Sequence, residues 1–470
     1  MEISKREFLR KLGVGGIALA GGIAFGDEGT GKKGSKITGE GDPFYPNCNN
    51  IHTIPHMPTD VESATLRDGK VIQPAREVPV FHETDVVVVG GGPAGYAAAV
   101  ASARTGAKTA LIERYGSLGG LFSNGMVLIL IGSGDIRPGH CELVTRGLME
   151  DLIEKAKAMG PHAYYTDKRH TVTQPTIGAE AIKVIMDRTC RAEKNLEVFF
   201  HAWGVDVIQT GNVVRGVVFE SKQGRQAILA RRVVDCTGDG DVFFQAGANY
   251  RQISHSIGYV YQIGGLDTVP RESAMSREAR QAYFPVGRNQ PLPGAYWSNN
   301  GGQVGNGLDI RTLTAVEFEM REKAWTQTDK MRKTPGYENT FLMNTCSQIG
   351  VRATRLLEAE HVLTKAEAEA EMKFDDAIGM SGDDCRLRPP FQIPYRALLP
   401  KNLENLLVAG RCAGYAPDLI DRTRLIPVCV VTGQAAGTAA ALSVLSGKSV
   451  REVDTARLRQ QLEKDGAYIA

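Results

Sequence analysis

The chain has 470 residues, which is enough for two or three domains with a well-buried core. Its 42% hydrophobic and 23% charged residues are ordinary for a globular protein. A net charge of +2 gives no electrostatic reason to expect nucleic acid or an anionic membrane surface as a partner. The eight cysteines include no C-x-x-C pair and none at zinc spacing with a histidine, so we expect no metal site.

The first 26 residues are organised like an export signal. A basic segment, 4–11, precedes a glycine-rich apolar run, 12–25, that is too short and too weakly apolar to span a membrane. The order Ser-Lys-Arg-x-Phe-Leu-Arg resembles a twin-arginine signal, with Lys5 where the first arginine is expected. We therefore expect a signal peptide over 1–26 and a periplasmic or extracellular protein without an integral membrane span. The alternative is a cytoplasmic protein with a frayed N-terminal helix.

A strand–helix–strand unit follows a linker, 27–83, in which a short strand pair is predicted around 62–72. The β-branched run Asp85–Val89, bounded by glycines, is typical of a buried parallel strand. Gly90, Gly92 and Gly95 stand at G-x-G-x-x-G spacing before a helix-forming stretch. A second strand then ends at Glu113.

This arrangement predicts a dinucleotide site. Gly90 allows the tight turn, Gly92 lets the backbone approach a pyrophosphate, and Gly95 lets the helix pack closely on the strand. Glu113 would accept hydrogen bonds from ribose hydroxyls. For the glycines alone, the alternative is a surface loop.

The remaining elements divide the chain into two regions. Periodicity and turn signals predict a helix at 177–195, a strand at 196–200, an antiparallel meander over 205–229 and a buried strand at 232–235. The polar and aromatic region 250–390 has helical patterns at 314–331 and 351–363. A buried strand near 405–409 and a small-residue helix reaching about 445 come last. We expect a first domain over 84–249 and 391–470, with 250–390 inserted as a substrate or cap domain.

Several separated motifs point to one family. They are Gly90–Gly95, Leu118-Gly119-Gly120, Val233–Asp241, Ile349–Arg355, Leu407–Arg411 and Gly433–Gly437. In this order they resemble the flavin-dependent oxidoreductases of the succinate dehydrogenase/fumarate reductase type, over about residues 84–445. More narrowly, they resemble the FAD-dependent oxidoreductase branch that often carries export signals. The resemblance implies an α/β fold in which a Rossmann-like FAD-binding domain (parallel sheet, helices and antiparallel meander) carries an inserted α+β cap.

The resemblance also implies FAD as the cofactor and a set of binding residues. Gly119 and Gly120 would lie beside the flavin, and Thr237-Gly238-Asp239 near the diphosphate. Gly410, Arg411, Gln434 and Ala435 would lie at the isoalloxazine end, where a helix N-terminus can stabilise negative charge on the reduced ring. The full implied set is Gly90, Gly92, Pro93, Ala94, Gly95, Glu113, Arg114, Gly119, Gly120, Thr237, Gly238, Asp239, Gly410, Arg411, Gln434 and Ala435. Taken alone, Thr237–Asp241 would be an exposed turn or a calcium-like loop.

Two missing features bear on the chemistry. The sequence has no second strand–G-x-G-x-x-G–helix unit for a nicotinamide cofactor, since Gly301–Gly307 follows an Asn-rich loop. No cysteine pair follows Gly120, where disulfide reductases of related fold keep their redox disulfide. We expect hydride exchange between flavin N5 and a small organic substrate, with electrons passing to or from an external carrier. The alternative is a flavin-bearing binding or structural protein without turnover.

Three residues are the candidates for catalysis. Thr423-Arg424-Leu425 stands where the fumarate reductase type has an Asn-Arg-Leu segment with a substrate arginine, but the accompanying histidine is absent, which disfavours a fumarate-like dicarboxylate. Arg352 and Arg355 at helical i, i+3 spacing predict an anion clamp, or alternatively a salt-bridge face with Glu358. His255 is a candidate acid/base, or alternatively a hydrogen-bonded structural histidine.

Overall fold

The computed structural model describes residues 63–166, 174–269, 290–300, 302–384 and 386–470. The predicted signal peptide, 1–26, and the predicted linker up to residue 62 lie outside the described residues. The described strands are β1 (Thr65–Arg67), β2 (Lys70–Ile72), β3 (Val80–Val89), β4 (Thr109–Glu113), β5 (Gly134–Asp135), β6 (Glu142–Leu143), β7 (Tyr164–Tyr165), β8 (Thr176–Ile177), β9 (Leu196–Phe200), β10 (Trp203–Thr210), β11 (Val213–Ser221), β12 (Gly224–Asp235), β13 (Tyr250–Gln252), β14 (His255–Gly264), β15 (Tyr296–Asn300), β16 (Val304–Gly305), β17 (Phe341–Thr345), β18 (Gly350–Val351), β19 (Arg355–Leu357), β20 (Ala377–Ser381), β21 (Phe391–Pro394) and β22 (Leu406–Val408).

The described helices are α1 (Pro93–Thr105), α2 (Leu148–Ala158), α3 (Ala179–Ala192), α4 (Asp241–Gln245), α5 (Ile310–Arg332), α6 (Lys365–Glu369), α7 (Ile420–Thr423), α8 (Ile426–Ser446) and α9 (Thr455–Lys464). Two short 3₁₀ helices, Tyr395–Leu398 and Val450–Glu452, accompany them.

The main sheet has seven strands and a parallel centre. The strands β22, β12, β3, β4 and β9 run parallel to their neighbours. Val86–Val89 of β3 are at most 3% exposed, as expected for a parallel strand covered on both faces. The first half of β12 also pairs with β11, and β11 with β10, both antiparallel. The long strand β12 thus belongs to the parallel sheet and to the meander.

A second sheet has β14 at its centre. The short strands β16 and β18 pair with the first four residues of β14, and β15 and β17 pair with its second half, all antiparallel. The 23-residue helix α5 packs on this sheet, and the side chain of its N-cap residue, Asp309, accepts a hydrogen bond from the backbone N–H of Thr312. Both elements fall inside the predicted insertion, 250–390, although the exact domain boundaries stay a prediction.

The helices α1 and α8 pack closely against each other in the core. Gly433 and Gly437 of α8 face the backbone of α1, and a Cβ on Gly437 would stand 2.0 Å from the carbonyl oxygen of Ala98. Glycine at these positions lets the two helices approach closely. Among described residues, α8 is the one helix long and apolar enough to cross a membrane by length and composition, but 94% of that stretch is buried inside the molecule.

The structure confirms the predicted fold class and most local elements. Strand 196–200 has the predicted bounds, the strand pair near 62–72 is β1 and β2, and the helix predicted at 314–331 lies within α5. The helix predicted at 351–363 is wrong. There β18 pairs with β14 and β19 with β13, so strand pairing overrides a local helical pattern. The last strand of the predicted meander and the strand predicted at 232–235 form one strand, β12.

Candidate active site

The glycines in the turn from β3 into α1 leave main-chain atoms accessible at the edge of the sheet. Gly90 has φ +94°, and its N–H donates to the carbonyl of Ile112 at 2.9 Å. A Cβ on Gly95 would stand 1.7 Å from the Gly90 carbonyl oxygen, whereas a Cβ on Gly92 would have no atom within 4 Å. Gly92 is also the N-cap of α1 and supplies no side-chain cap. The start of α1 is therefore open to an anionic ligand.

Glu113 closes the next strand beside this turn. Its carboxylate accepts hydrogen bonds from the backbone N–H of Gly91 at 2.6 Å and of Tyr115 at 2.8 Å. Burial raises the pKa of Glu113, and those two bonds and the charge of Arg114 oppose the rise. The Arg114 guanidinium lies over the rings of Tyr115 and Trp203. Arginine and indole thus form a flat, polar and aromatic surface next to the carboxylate.

A second pair of glycines is tied to the first turn. Gly119 and Gly120 have φ of +104° and +48°, and the N–H of Gly119 donates to the carbonyl of Gly91 at 2.8 Å. A Cβ on Gly119 would overlap the hydroxyl oxygen of Ser123, at 2.5 Å. The two glycine-rich loops therefore form one backbone surface.

The loop after β12 meets the turn after β22 through an ion pair. Arg411 Nη2 donates to Asp239 Oδ1 at 2.8 Å, and the hydroxyl of Thr354 donates to the same oxygen at 2.7 Å. The Arg411 guanidinium lies against Gly238, where a Cβ would come within 2.8 Å of Nη1. Arg411 Nε is buried and has no hydrogen-bond partner among the described residues. A buried donor of this kind suits an anionic ligand group.

The three catalytic candidates come together around a residue that the sequence analysis missed, Asp421. Asp421 Oδ1 lies 2.8 Å from Arg424 Nη2 and 3.2 Å from His255 Nε2. Burial acts to raise the pKa of Asp421, but Arg424 and His255 hold it below its usual range. Arg352 donates from Nη1 to the hydroxyl of Ser256, the neighbour of His255. Three segments far apart in the chain thus share one polar cluster.

A cavity of about 420 Å³ joins these parts. It lies at the carboxyl ends of β3, β4, β12 and β22, and its other wall includes residues of β14, β15 and β18. Thirteen of the predicted site residues line it: Gly90, Gly92, Pro93, Ala94, Glu113, Arg114, Gly120, Thr237, Gly238, Arg352, Gly410, Arg411 and Arg424.

Other predicted site residues do not line the cavity. Gly95 packs α1 against the Gly90 turn, Gly119 ties the two loops, and Asp239 holds Arg411. His255 does not line the cavity itself, but it contacts Asp421 and Ser256, the partners of the cavity-lining Arg424 and Arg352.

Gln434 and Ala435, predicted at the isoalloxazine end, do not line the cavity, and neither does Arg355. Gln434 accepts a hydrogen bond from the backbone N–H of Leu148, two turns inside α8, and Ala435 is fully buried there. The part of α8 that meets the cavity is its first turn, Ile426–Cys429, because α8 starts earlier than the predicted helix. The clamp of Arg352 with Arg355 also fails, since Arg355 pairs with Asp241 at 3.1 Å. The alternative salt-bridge face with Glu358 required the same missing helix.

The apolar wall of the cavity was not predicted from the sequence. Val127, Ile129 and Ile131 line it, whereas Leu128 and Leu130 are fully buried in the core. This alternation with period two in Val127–Ile131 was a usable signal. Val260 and Trp297 complete the wall from the second sheet. No sequence pattern pointed to those two residues.

A scan against protein-family models decides the family. The model for FAD dependent oxidoreductases matches residues 85–462, which is most of the chain. The chain belongs to the FAD-dependent oxidoreductase family. The match includes every segment that lines the cavity, and FAD is the cofactor of this oxidoreductase.

The curated relatives of this oxidoreductase match over short stretches. Dihydrolipoyl dehydrogenase of Trypanosoma brucei brucei is 56% identical over 46 residues, 10% of each chain. The enzyme of Pisum sativum is 55% identical over 64 residues, and leghemoglobin reductase of Glycine max 57% identical over 42. The chain thus matches about a tenth of these relatives' length, and their activities are not carried over.

Solved structures resemble the oxidoreductase over a greater length but more distantly. p-Nitrophenol 4-monooxygenase PnpA of Pseudomonas putida has 12% identity and a TM-score of 0.45, over 82% of this chain and 89% of its own. A geranylgeranyl bacteriochlorophyll reductase-like protein of Thermoplasma acidophilum has 14% identity and a TM-score of 0.40, over 82% and 83%. Likeness at this level says nothing about substrate.

The residues of the oxidoreductase fit its cofactor. The open backbone at Gly92 and the orphaned donor of Arg411 can hold the diphosphate. The buried carboxylate of Glu113 at the end of β4 stands where a ribose is bound in dinucleotide folds. The arginine cluster at Asp421 lies apart from these groups in the chain and carries no dinucleotide motif.

Proposed function

We propose that this protein exchanges a hydride between FAD and a small organic substrate, by dehydrogenation or by reduction of an activated double bond. FAD, when bound, supplies the hydride acceptor or donor at its N5 atom. The observation that carries the proposal is the cavity itself. It continues from the glycine-rich turns to the arginine cluster and the apolar wall under the second sheet. Residues outside the dinucleotide motifs therefore form a compartment next to the cofactor site.

The second substrate is proposed to be an external electron carrier. The sequence has one strand–G-x-G-x-x-G–helix unit, at Gly90–Gly95, so no separate nicotinamide domain is indicated. Some curated relatives are dihydrolipoyl dehydrogenases, but Leu121-Phe122-Ser123-Asn124 follow Gly120 here, without the cysteine pair that disulfide chemistry needs. We therefore do not propose disulfide reduction.

Anaerobic titration of the purified flavoprotein tests the proposal. A substrate that donates a hydride should bleach the flavin absorption, and an oxidising carrier should restore it. If dithionite reduces the flavin but a broad panel of alcohols, amines, acids and enoates neither reduces nor reoxidises it, the protein carries flavin without turnover, and the proposal fails.

Two finer proposals rest on the sequence. The first is that the protein is of the succinate dehydrogenase/fumarate reductase type, and the position of Arg424 on the cavity supports it. The second is export through the twin-arginine pathway, supported by the basic segment 4–11 and by the cofactor, because that pathway carries folded proteins. Mass spectrometry of the protein from its native host should find an N-terminus beyond about residue 26. A cytoplasmic protein that begins at Met1 would exclude export.

A further inference from the structure

The compartment under the second sheet has an apolar wall. Val127, Ile129 and Ile131 present alternate side chains of one extended segment to it, and Val260 and Trp297 face it from β14 and β15. Leu425 extends the apolar surface to the start of α8. A ligand that fills this space is therefore surrounded mainly by carbon.

Two arginines, Arg352 and Arg424, line the polar end of the same compartment, and the carboxylate of Asp421 is paired with one of them. Arg424 is paired with Asp421 through Nη2 at 2.8 Å and Nε at 3.1 Å. Arg352 donates to Ser256, and no carboxylate among the described residues lies within 4.0 Å of it. Burial lowers the pKa of Arg352, and the positive charge of Arg424 lowers it further, while the Asp421 carboxylate opposes the fall without reversing it.

The other charged groups that line the cavity lie near groups of opposite charge. Arg411 is paired with Asp239, and Asp241 with Arg355. Glu113 lies beside Arg114. The polar end of the compartment thus has one positive charge more than its carboxylate neutralises, and that charge belongs to Arg352. Half-burial of an unpaired guanidinium is unfavourable unless an anionic ligand completes the site.

We infer that this compartment binds an organic monocarboxylate with an aliphatic or aromatic body, whose carboxylate is held by Arg352 beside the Arg424–Asp421 pair. The inference rests on the proposed function, because it names the substrate class of the same compartment. A dicarboxylate fits less well, since its second charge would lie against the apolar wall with no cation to pair with it. Asp421 limits the site to one negative charge by neutralising Arg424.

Binding of unreactive probes to the oxidised holoprotein tests the inference. Benzoate, benzyl alcohol and succinate are titrated separately, and the change in the flavin absorption spectrum gives each Kd. We expect benzoate to bind about tenfold or more tightly than its neutral analogue benzyl alcohol and than succinate. Benzyl alcohol or succinate binding as well as benzoate would overturn the inference, and so would the absence of benzoate binding up to tens of millimolar. This comparison of three ligands uses only the wild-type protein.

A matched pair of arginine variants locates the carboxylate. Arg352→Gln should weaken benzoate binding about tenfold or more and leave benzyl alcohol binding unchanged. Arg321→Gln on the exposed face of α5, which removes a surface ion pair with Glu317, should leave both constants unchanged. Unchanged benzoate binding by a folded, FAD-containing Arg352→Gln protein contradicts the assignment.

The same samples separate the two proposals. If a substrate reduces the flavin but benzoate does not bind, the monocarboxylate inference fails and the proposed function stands. If benzoate binds through Arg352 and no donor reduces the flavin, the proposed function fails and the binding site stands.

Discussion

Gly92 and Gly95 belong to one motif but meet opposite surroundings. A Cβ on Gly95 would overlap the Gly90 carbonyl at 1.7 Å, whereas a Cβ on Gly92 would stand in open space with an ordinary φ of −66°. We expect Gly95→Ala to lower the free energy of unfolding by about 3 kcal/mol, because the turn must move. Gly92→Ala should leave it within about 0.5 kcal/mol but weaken FAD binding about tenfold, because the methyl group enters the cavity.

Thermal unfolding of the two proteins and FAD titration of their deflavinated forms measure these effects. The two glycines serve as each other's control, since the substitution is the same. If Gly92→Ala binds FAD with wild-type affinity, the cofactor does not approach the backbone there, and the assignment of Gly92 is wrong.

Asp235, at the end of β12, gives a pH dependence of stability. It is fully buried, and burial raises its pKa from 3.8 to about 6, despite hydrogen bonds from Thr237 and Phe243. The folded carboxyl holds its proton more tightly than the unfolded one. The stability it contributes is therefore present at about pH 4 and is lost as the pH rises through about 6, by about 3 kcal/mol.

Asp235→Asn removes this titration, although the amide loses the hydrogen bond from Phe243 N–H. We expect the stability advantage of wild type over Asp235→Asn to shrink between about pH 4 and about pH 7 in parallel thermal melts. Asp206→Asn on the exposed edge of the meander is the control. Parallel pH curves for wild type and Asp235→Asn would show that the buried carboxyl does not titrate in this range.

Single residues of the site differed in how far sequence could predict them. The glycines and Glu113 are set by local geometry, so their spacing was sufficient. Arg352 and Arg424 were predicted as site residues from their residue type and their place in the motifs. The hydrogen bond of Arg352 to Ser256 was not predicted, because it depends on the pairing of β14 with β18. Asp421 was missed although it stands three residues before Arg424. Its role depends on His255, which is distant in the chain.

At the scale of elements, the contact of α1 with α8 determines where the glycine-rich turn lies. Gly433 and Gly437 are one helical turn apart, and each would place a Cβ about 2 Å from a carbonyl oxygen of α1. We expect Gly437→Ala to lower the free energy of unfolding by about 3 kcal/mol, since neither backbone can give way without moving the helix.

Thermal unfolding measures the change. Ser446→Ala, at the exposed end of the same helix, should change stability by less than about 0.5 kcal/mol. If the Gly437→Ala protein has the melting temperature of the wild type, the two helices have room to separate. Their close approach then does not hold the glycine-rich turn in place.

The limits of sequence reasoning are also visible in the elements. Strand β9 was predicted residue for residue, because its apolar run has clear boundaries. The helical pattern at 351–363 failed, since Gly350–Val351 and Arg355–Leu357 each have a strand partner supplied by β14 or β13. A local period cannot reveal a distant strand that offers hydrogen bonds.

At the scale of the whole molecule, two sheets meet at one cavity. The carboxyl ends of β3, β4, β12 and β22 come together because parallel strands share an edge, so that half of the site follows from the order of elements. The other wall comes from β14, β15 and β18. The order of the sequence motifs does not predict the antiparallel pairing of these strands. Sequence therefore identified the cofactor end and left the substrate end open.

This two-sided cavity predicts how loss of FAD should propagate. Gly258 and Val260 of β14 line the cavity together with the glycine-rich turn, so FAD contacts both walls if it fills the space between them. A ligand that binds only the folded state stabilises it by about 2.7 kcal/mol at a hundredfold excess over Kd.

We expect deflavination to lower the melting temperature and to speed amide hydrogen exchange in 257–263 as well as in 86–100. Exchange in Thr455–Lys464, no residue of which lines the cavity, is the internal control. If exchange rises in 86–100 and stays unchanged in 257–263, the second sheet does not enclose the cofactor, and the compartment beneath it is open to solvent in the holoprotein.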